Sequence, residues 1–316
     1  MTEPLWGEDD RPRLGAFGPV KVRVPAKINL HLGVGPVRAD GYHELATVYH
    51  AISIHDELSA RAADSLVLTM DGEGAGELAL DDTNLVIRAA KALAEATARP
   101  AHARLHLRKQ IPLAGGLAGG SADAAAALVA CDALWGTGLG REELAHIAAS
   151  LGSDVPFLVL GGTALGSGRG ETVTPILASG HQWHWVVAVA DGGLSTPAVY
   201  QRLDEMREAG EAPDPIGAPD EILVALRQRD PAVLAKALQN DMAPAALSLR
   251  PALRDVLAAG DAAGALAGLV SGSGPTCVFL ARDASHAGTV AAALNASGTC
   301  RDARVAHGPV AGARPV

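Results

Sequence analysis

Two kinds of hydrophobic periodicity alternate along this chain of 316 residues and together predict a mixture of strands and helices. In 103–109, Leu105 and Leu107 are separated by charged or polar side chains, which is typical of a half-buried strand. From Ser121 to Trp135 the sequence is rich in alanine and stops at a glycine, which favours a helix. Further strands are predicted at 21–32, 66–70, 155–160, 185–190, 265–270, 276–281 and 301–306, a hairpin at 161–171, and further helices at 84–98, 141–150, 198–208, 221–238, 251–259 and 284–295.

The order of these elements predicts an α+β fold, because strands joined by both hairpins and helices are typical of a split α+β layer. The chain is long enough for two domains with their own cores. Since the pattern is interrupted near 178–184, we place an N-terminal domain at 20–180 and a C-terminal domain at 181–316. Residues 1–19 combine proline, glycine and charge without periodicity, so we expect a loose extension.

The composition narrows the class of function. A net charge of −9 argues against a general nucleic-acid surface, which would need clustered lysine and arginine. Three cysteines, an odd number without a close pair, indicate reduced thiols and neither a disulfide framework nor a zinc site. No apolar run reaches membrane-spanning length, and the acidic N-terminus does not resemble a signal peptide. We therefore expect a cytoplasmic protein with neither a nucleic-acid nor a membrane partner.

The segment Pro112–Asp123, P-L-A-G-G-L-A-G-G-S-A-D, joins the predicted strand at 103–109 to the alanine-rich helix. Glycines let a backbone approach a phosphate, and a helix start directs free N–H groups and partial positive charge toward it. A plain connection is the alternative. The loop has Ser121 where a P-loop needs lysine and Leu117 where a dinucleotide fingerprint needs glycine. A phosphate site of another kind remains open.

Three other segments carry candidate chemistry. Lys27, Asn29 and His31 share one face of the strand at 21–32, and this pattern alone favours a solvated outer face. The pair Tyr42-His43 follows an Asp-Gly turn and is either loop packing or an aromatic platform for a flat ligand. Asp154, between Gly-Ser and Val-Pro, is in a position that commonly caps a helix or forms a turn.

Read together, these segments resemble the GHMP kinases, a family of small-molecule kinases named for galacto-, homoserine, mevalonate and phosphomevalonate kinases. The three family motifs are similar to V-P-A-K-I-N-L at 24–30, the loop at 112–122 and S-G-S-G-P at 271–275. D-G-Y-H-E-L at 40–45 and G-S-D-V-P-F at 152–157, with the hairpin at 161–171, are similar to family members whose acceptor carries cytidine diphosphate. The resemblance covers about residues 20–308.

Two positions depart from the family pattern. Ala118 stands where the family often has glycine, and a methyl group is tolerated there if the φ angle is negative. Ala122 stands where the family often has a second serine, which leaves Ser121 as the hydroxyl on the metal side of the loop.

The resemblance implies a fold and a cofactor site. The expected N-terminal domain is like the second domain of ribosomal protein S5, the C-terminal domain is ferredoxin-like, and the active site lies in the cleft between them. ATP is expected with its phosphates on the glycine loop, its adenine near Asn84 and Lys109, and Mg²⁺ held at Ser121 and the phosphate oxygens. The implied ATP-binding residues are Asn84, Lys109, Pro112, Leu113, Ala114, Gly115, Gly116, Leu117, Ala118, Gly119, Gly120, Ser121 and Ala122.

The resemblance also implies the reaction. An alcohol of a cytidine diphosphate polyol would accept the phosphoryl group, with Asp154 as the base or as a group that only positions the acceptor. Lys27 beside it would keep the carboxylate ionised and help neutralise the transferred phosphoryl group. The implied substrate-binding residues are Tyr42 and Tyr200 on opposite sides of the cytosine, His43 at its edge, and Asn29 and Thr196 for other polar groups.

Several alternatives remain open from the sequence. One is another kinase of the family, acting on mevalonate or homoserine. A second is a nucleotide-binding protein that uses this fold without catalysis, although both Lys27 and Asp154 are present. An RNA-binding module, suggested by the S5-like fold, fits poorly with a charge of −9. The chain is expected to be a monomer or a homodimer.

Overall fold

The computed structural model describes residues 18–113, 115–176 and 180–316. Nearly all of the predicted loose extension at 1–19 lies outside the described residues. Ala114 and the residues 177–179, next to the predicted domain boundary, also lie outside them. The boundary at residue 180 therefore stays a prediction.

The described part of the chain forms twelve strands and ten helices. The strands are β1 (Val20–Val37), β2 (His43–Arg61), β3 (Leu66–Gly72), β4 (Ala103–Lys109), β5 (Thr163–Ser167), β6 (Thr172–Pro175), β7 (Trp183–Val189), β8 (Gln239–Asn240), β9 (Ala267–Val270), β10 (Cys277–Ala281), β11 (Asp302–Gly308) and β12 (Arg314–Pro315). The helices are α1 (Leu85–Ala96), α2 (Gly119–Trp135), α3 (Arg141–Ala149), α4 (Val155–Leu160), α5 (Thr196–Glu208), α6 (Asp220–Gln228), α7 (Pro231–Ala237), α8 (Ala243–Leu249), α9 (Leu253–Ala262) and α10 (Ala284–Ser297).

The first sheet is built mainly from the N-terminal half of the chain. Its strands follow the order β12-β1-β2-β4-β3, with β5 beside β2, β6 beside β5 and β8 beside β1. The alanine-rich helix α2 packs on β1 and β2, and its residues from Ala122 to Cys131 are all buried. Small side chains let α2 lie close to the sheet and to α1 and α4. The alanine run therefore marks a central helix.

The second sheet has four antiparallel strands in the order β11-β7-β10-β9. In chain order these are the fourth, first, third and second strands, with α10 between the last two and several helices between the first two. That is the split β-α-β arrangement of a ferredoxin-like domain. The predicted α+β fold with a ferredoxin-like C-terminal part is confirmed. No helix in the described ranges is long and apolar enough to cross a membrane.

Two of the predicted elements need correction, and two others were missed. The stretch Val155–Leu160 is helix α4 and not a strand, and every residue except the last is buried. A run that is apolar on all sides carries no period that separates a strand from a helix. The predicted helix at 221–238 is two helices, because the chain turns at Arg229, which has a φ of +58°, and Pro231 begins a new helix. The prediction also missed α8 and most of β2.

Candidate active site

A cleft of about 950 Å³ opens between the two sheets and brings most of the predicted site residues together. The predicted residues that line it are Lys27, Asn29, Tyr42, His43, Gly115, Gly116, Ala118, Gly119, Gly120, Ser121, Asp154, Thr196 and Tyr200. Part of the third motif, Gly272 to Gly274, lines the same cleft. Segments as far apart in sequence as Lys27 and Gly274 thus form one concave surface, as expected for a ligand site.

The three motifs contact one another directly at Gly272. A side chain at this position would place its Cβ 3.4 Å from the Lys27 Nζ, the Asn29 Oδ1 and the Gly116 carbonyl oxygen. Ser271 donates a hydrogen bond of 3.1 Å to the same Gly116 carbonyl. The Lys27 backbone N–H donates to the carbonyl of Leu117 at 3.2 Å. Strand β1, the glycine loop and the loop before β10 therefore hold one another in place.

The polar face of β1 is buried, so its interpretation as a solvated outer face is wrong. Lys27, Asn29 and His31 are only 5%, 3% and 3% exposed. Lys27 Nζ donates to Asn29 Oδ1 at 2.8 Å, and Asn29 Nδ2 donates to the Thr47 hydroxyl, also at 2.8 Å. That hydroxyl donates to the backbone carbonyl of His31. Burial lowers the pKa of the His31 imidazole. A row of hydrogen bonds thus fixes the position of the Lys27 ammonium.

Asp154 faces this ammonium across the cleft. Its Oδ2 lies 3.9 Å from the Lys27 Nζ, with the two side chains 30% and 6% exposed respectively. Asp154 directly precedes α4, but its side chain forms no capping hydrogen bond to that helix. The carboxylate is therefore free to face the cleft, and the two charges lie within the distance that a single water or hydroxyl group can bridge.

The glycine loop lies under the N-terminus of α2. Gly116 has a φ of +72°, and a Cβ there would lie 2.1 Å from the Ser271 carbonyl oxygen, so only glycine fits. Gly119, Gly120 and Ser121 form the first turn of α2, whose free N–H groups are suited to an anion. Pro112, Leu117 and Ala122 are buried behind the loop, and Leu113 packs against Gly74 instead of lining the cleft.

Ala118 does not meet the condition of a negative φ under which a methyl group is easily tolerated. Its φ of +57° and ψ of 37° place it in the left-handed region, immediately before α2. A non-glycine residue there carries about 1–2 kcal/mol of strain. The chain therefore keeps a methyl group where its loop geometry favours glycine.

We expect Ala118→Gly to raise the free energy of unfolding by about 0.5–1 kcal/mol, because relief of strain exceeds the added flexibility of the unfolded chain. Urea denaturation measures the change. The matched control is Ala122→Gly inside α2, which should lower the free energy of unfolding by about 1 kcal/mol. Equal destabilisation by both changes would contradict the strained conformation of Ala118.

Two predicted adenine contacts are not in the cleft. The Asn84 side chain caps α1, accepting from the Val86 N–H at 2.9 Å and donating to the Ala79 carbonyl at 2.6 Å. The Lys109 ammonium is fully buried and 2.7 Å from each of the Asp56 and Asp123 carboxylates. Neither residue lines the cleft, and the expected position of the adenine near Asn84 and Lys109 stays a prediction.

The aromatic residues form one wall of the cleft, but they pair differently from the prediction. His43 stacks on Tyr200, with ring centroids 4.9 Å apart and an interplanar angle of 16°. Its Nδ1 lies 2.8 Å from the Gly35 carbonyl and its Nε2 lies 3.3 Å from the Asp204 carboxylate. Both ring nitrogens therefore already have partners. Burial, with a smaller effect from the charge of Asp154, raises the pKa of Tyr200 to about 12.

Tyr42 stands apart from that stacked pair and is 54% exposed. The guanidinium of Arg169 lies over its ring, 4.8 Å from the centroid. Among the residues described as lining the cleft, only Arg169 and Lys27 carry a permanent positive charge. Thr196 begins α5 and its hydroxyl lies 2.8 Å from that of Ser273, which ties the third motif to this wall.

Sequence reasoning missed four polar residues of the cleft, Tyr49, Arg169, Gln201 and Asp204. Arg169 lies in the predicted glycine-rich hairpin, where it could have been noticed as an isolated cation between two glycines. Asp204 lies on the predicted helix after Thr196, one turn beyond Tyr200. Tyr49 lies on β2, which the pattern did not reveal.

Comparison with known proteins identifies the family. The family model for the GHMP kinases N terminal domain matches residues 84–162, and the model for the GHMP kinases C terminal domain matches 222–300. The chain is 74% identical over 314 residues to a 4-diphosphocytidyl-2-C-methyl-D-erythritol kinase of Salinispora tropica, covering 99% of both chains. It is 57% identical to the protein of that name from Streptomyces coelicolor, covering 93% of this chain and 98% of the relative.

A solved structure agrees with these matches. The crystal structure of a 4-(cytidine 5'-diphospho)-2C-methyl-D-erythritol kinase superposes with a TM-score of 0.73 at 35% identity, covering 90% of this chain and 98% of the other. Family models, full-length relatives and fold therefore point the same way. The chain belongs to the GHMP kinase family, on the branch of its 4-diphosphocytidyl-2-C-methyl-D-erythritol kinases.

Proposed function

We propose that the protein transfers the γ-phosphoryl group of ATP to the 2-hydroxyl of 4-diphosphocytidyl-2-C-methyl-D-erythritol. The observation that carries this proposal is the Lys27–Asp154 pair, 3.9 Å apart, in the same cleft as the glycine loop. Relatives that share 74% and 57% of the sequence bear the name of this kinase. This reaction is one step of the route to isoprenoid precursors that does not use mevalonate.

The glycine loop and the start of α2 would bind the ATP phosphates. Gly116 to Ser121 combine a close backbone approach with the N–H groups of the first helical turn. Ser121 lines the cleft and would offer its hydroxyl to a bound Mg²⁺. No group of three acidic, histidine or cysteine ligands occurs in the described ranges. Mg²⁺ is commonly held by few protein ligands together with substrate phosphates, and it would offset the charge of the triphosphate.

The acceptor is a tertiary alcohol, which is a poor nucleophile. Asp154 would accept a hydrogen bond from this hydroxyl and take its proton as the bond to phosphorus forms. The Lys27 ammonium, fixed by Asn29, would stabilise the charge on the transferred phosphoryl oxygens. The two groups would act on the same acceptor, because they lie 3.9 Å apart in one cleft.

The aromatic residues of the cleft suit the cytidine diphosphate. Tyr42 offers an exposed ring for the cytosine, and the stacked pair of His43 and Tyr200 lies in the same wall. Arg169, which stacks on Tyr42, is available to the negatively charged diphosphate. Thr196 and Asn29 would hold other polar groups of the substrate.

The direct test is an ADP-release assay with the cytidine-bearing polyol, mevalonate and homoserine as acceptors. We expect turnover with the cytidine substrate alone, and mass spectrometry should place one phosphate on the methylerythritol unit. Turnover with mevalonate or homoserine would instead indicate another kinase of the family. ATP binding without transfer to any acceptor would indicate a non-catalytic nucleotide-binding protein.

We expect Tyr42→Ala to raise the KM for the cytidine substrate about ten- to a hundredfold, since base–aromatic stacking contributes about 1–3 kcal/mol. The KM for ATP should change little, because the proposed site of the ATP phosphates is the glycine loop and not Tyr42. Tyr42→Phe keeps the ring and should remain near wild type. A parallel rise in both KM values would point to a general disturbance of the cleft and would exclude the stacking role.

A further inference from the structure

Two adjacent polar residues that none of the three motifs contains, Asn240 and Asp241, lie where β1, the loop at 271–275 and α5 meet. Asn240 ends the short strand β8, which pairs in parallel with β1. The Asp241 N–H continues this pairing and donates to the Leu32 carbonyl at 2.9 Å. Neither residue lines the cleft itself, but their side chains reach two different elements that do.

Asn240 holds the loop of the third motif. Its Nδ2 donates to the carbonyl of Val270 at 2.7 Å and to that of Gly272 at 2.8 Å. Its Oδ1 accepts from the Met242 N–H at 2.9 Å. Both amide protons and the amide oxygen are thus engaged, which fixes the orientation of the side chain. The two carbonyls lie on either side of residue 271, so Asn240 sets the path on which the loop leaves β9.

The path of this loop bears on the proposed chemistry through Gly272. A Cβ at this position would lie only 3.4 Å from the Lys27 Nζ and from the Gly116 carbonyl oxygen. The neighbouring Ser271 donates to the same carbonyl at 3.1 Å. A shift of the loop therefore acts on the ammonium and on the glycine loop together.

Asp241 holds α5 to the end of β1. Its Oδ2 accepts from the Val34 N–H at 2.7 Å and lies 3.1 Å from the Nη2 of Arg207 on α5. The Arg207 Nη1 in turn donates to the Val34 carbonyl at 2.8 Å. The same carboxylate accepts from the Ile216 N–H. Since α5 also carries Tyr200, this largely buried ion pair sets the aromatic wall of the cleft against β1.

We propose that Asn240 and Asp241 are positioning residues with separate effects on the reaction. Asn240 places the third motif for phosphoryl transfer, and Asp241, through Arg207, places α5 for binding of the cytidine substrate. The proposal rests on the proposed function, which assigns the chemistry to Lys27 and the glycine loop and the base to the aromatic wall. The competing explanation is that both residues only stabilise the fold.

The test compares the steady-state kinetics of Asn240→Ala and Arg207→Met. Asn240→Ala should lower kcat about tenfold, because two carbonyls lose their donor, and should change the KM for the cytidine substrate less than about twofold. Arg207→Met should raise that KM about five- to tenfold and change kcat less than about twofold. Arg207→Lys keeps the charge and should recover part of the rise in KM. Parallel changes of kcat and KM in both variants, or no change in either, would overturn the proposal.

Two further variants complete the experiment. Ser53→Ala removes the acceptor of the His307 N–H, at 2.9 Å, a hydrogen bond that also joins the two sheets but lies outside the cleft. It should leave kcat and both KM values unchanged, and a loss of kcat equal to that of Asn240→Ala would support the structural explanation. Asn240→Asp keeps the size of the side chain and the acceptor for Met242 but removes the donors. It should give the same kinetic pattern as Asn240→Ala, and it replaces that variant if the alanine protein does not fold.

Hydrogen exchange followed by mass spectrometry separates this proposal from the proposed function, because it needs no turnover. Exchange should rise at 270–276 in Asn240→Ala and at 196–208 in Arg207→Met, with the other segment unchanged in each variant. Equal exchange of both segments in both variants, or no change, would contradict the separate effects. If the wild-type protein does not phosphorylate the cytidine substrate, the proposed function is wrong, and the exchange pattern still decides which element each residue holds.

Discussion

Asp154→Asn should lower kcat by about 10²–10⁴, the range associated with general acid–base assistance. The amide is close in shape to the carboxylate but cannot take the proton of the acceptor alcohol. The KM values for ATP and for the cytidine substrate should change little, since the glycine loop and the aromatic wall are untouched. Steady-state kinetics with both substrates measures this split.

The matched control is Asp204→Asn, which removes the same charge from the same cleft. Asp204 lies 3.3 Å from the His43 Nε2, so its loss should act on the KM for the cytidine substrate and not mainly on kcat. If both variants lower kcat equally, the effect is one of overall charge and Asp154 is not the base. A full kcat in Asp154→Asn would leave the residue with no chemical role.

The companion change Lys27→Met tests whether the two residues act on one transition state. It should lower kcat through loss of charge stabilisation while ATP still binds the loop. The double variant should be less impaired than the product of the two single effects, because residues that act as a unit are not additive. Independent, multiplicative losses would show that Lys27 and Asp154 serve different steps.

Much of this site could be predicted from the sequence, because the glycine loop, the Asp-Gly turn and the polar strand are local patterns with local causes. The direction of the polar face could not be predicted. Lys27, Asn29 and His31 alternate with apolar residues as an exposed face would, yet Thr47 and the loop at 271–275 cover them. Only contacts with residues distant in sequence determine whether such a polar face is exposed or buried.

Most of strand β2 was also not predicted from the sequence, again because a long-range contact hides the local pattern. From Ile52 to Ala60 every second residue is buried, which would have predicted a strand, except that Asp56 occupies an inward position. A charged residue in the buried row breaks the hydrophobic pattern. The structure supplies the missing partner, since Asp56 is paired with Lys109 and accepts the N–H groups of Gln110 and Ile111. The exception to the pattern therefore marks a buried ion cluster.

That cluster lies directly beneath the glycine loop. The Lys109 Nζ is 2.7 Å from both Asp56 and Asp123, and it is 3.4 Å from the Cβ position of Gly119. Burial alone would lower the pKa of Lys109, but the charges of Asp123 and Asp56 outweigh it and raise the pKa. Lys109 is thus a cation that pairs with both carboxylates and anchors the segment entering the loop.

Lys109→Met should lower the free energy of unfolding by about 3–5 kcal/mol, because breaking a buried ion pair leaves an uncompensated charge in the interior. The matched control is Lys91→Met, which breaks an exposed pair with Asp82 in which the side chains are 50% and 78% exposed. That change should alter the free energy of unfolding by less than about 1 kcal/mol. Urea denaturation at pH 7 measures both variants.

The pH dependence of the Lys109→Met variant distinguishes electrostatics from lost packing. Burial raises the pKa of Asp123 well above its ordinary value, and removal of the cation raises it further. A carboxyl whose pKa is raised by folding binds its proton more tightly in the folded state, so its contribution to stability is lost as pH rises. The variant should therefore be less destabilised at pH 5 than at pH 8, and adding Asp123→Asn should restore part of the loss at pH 8. A loss that is the same at both pH values would mean that Lys109 acts by filling space and not by neutralising the carboxylates.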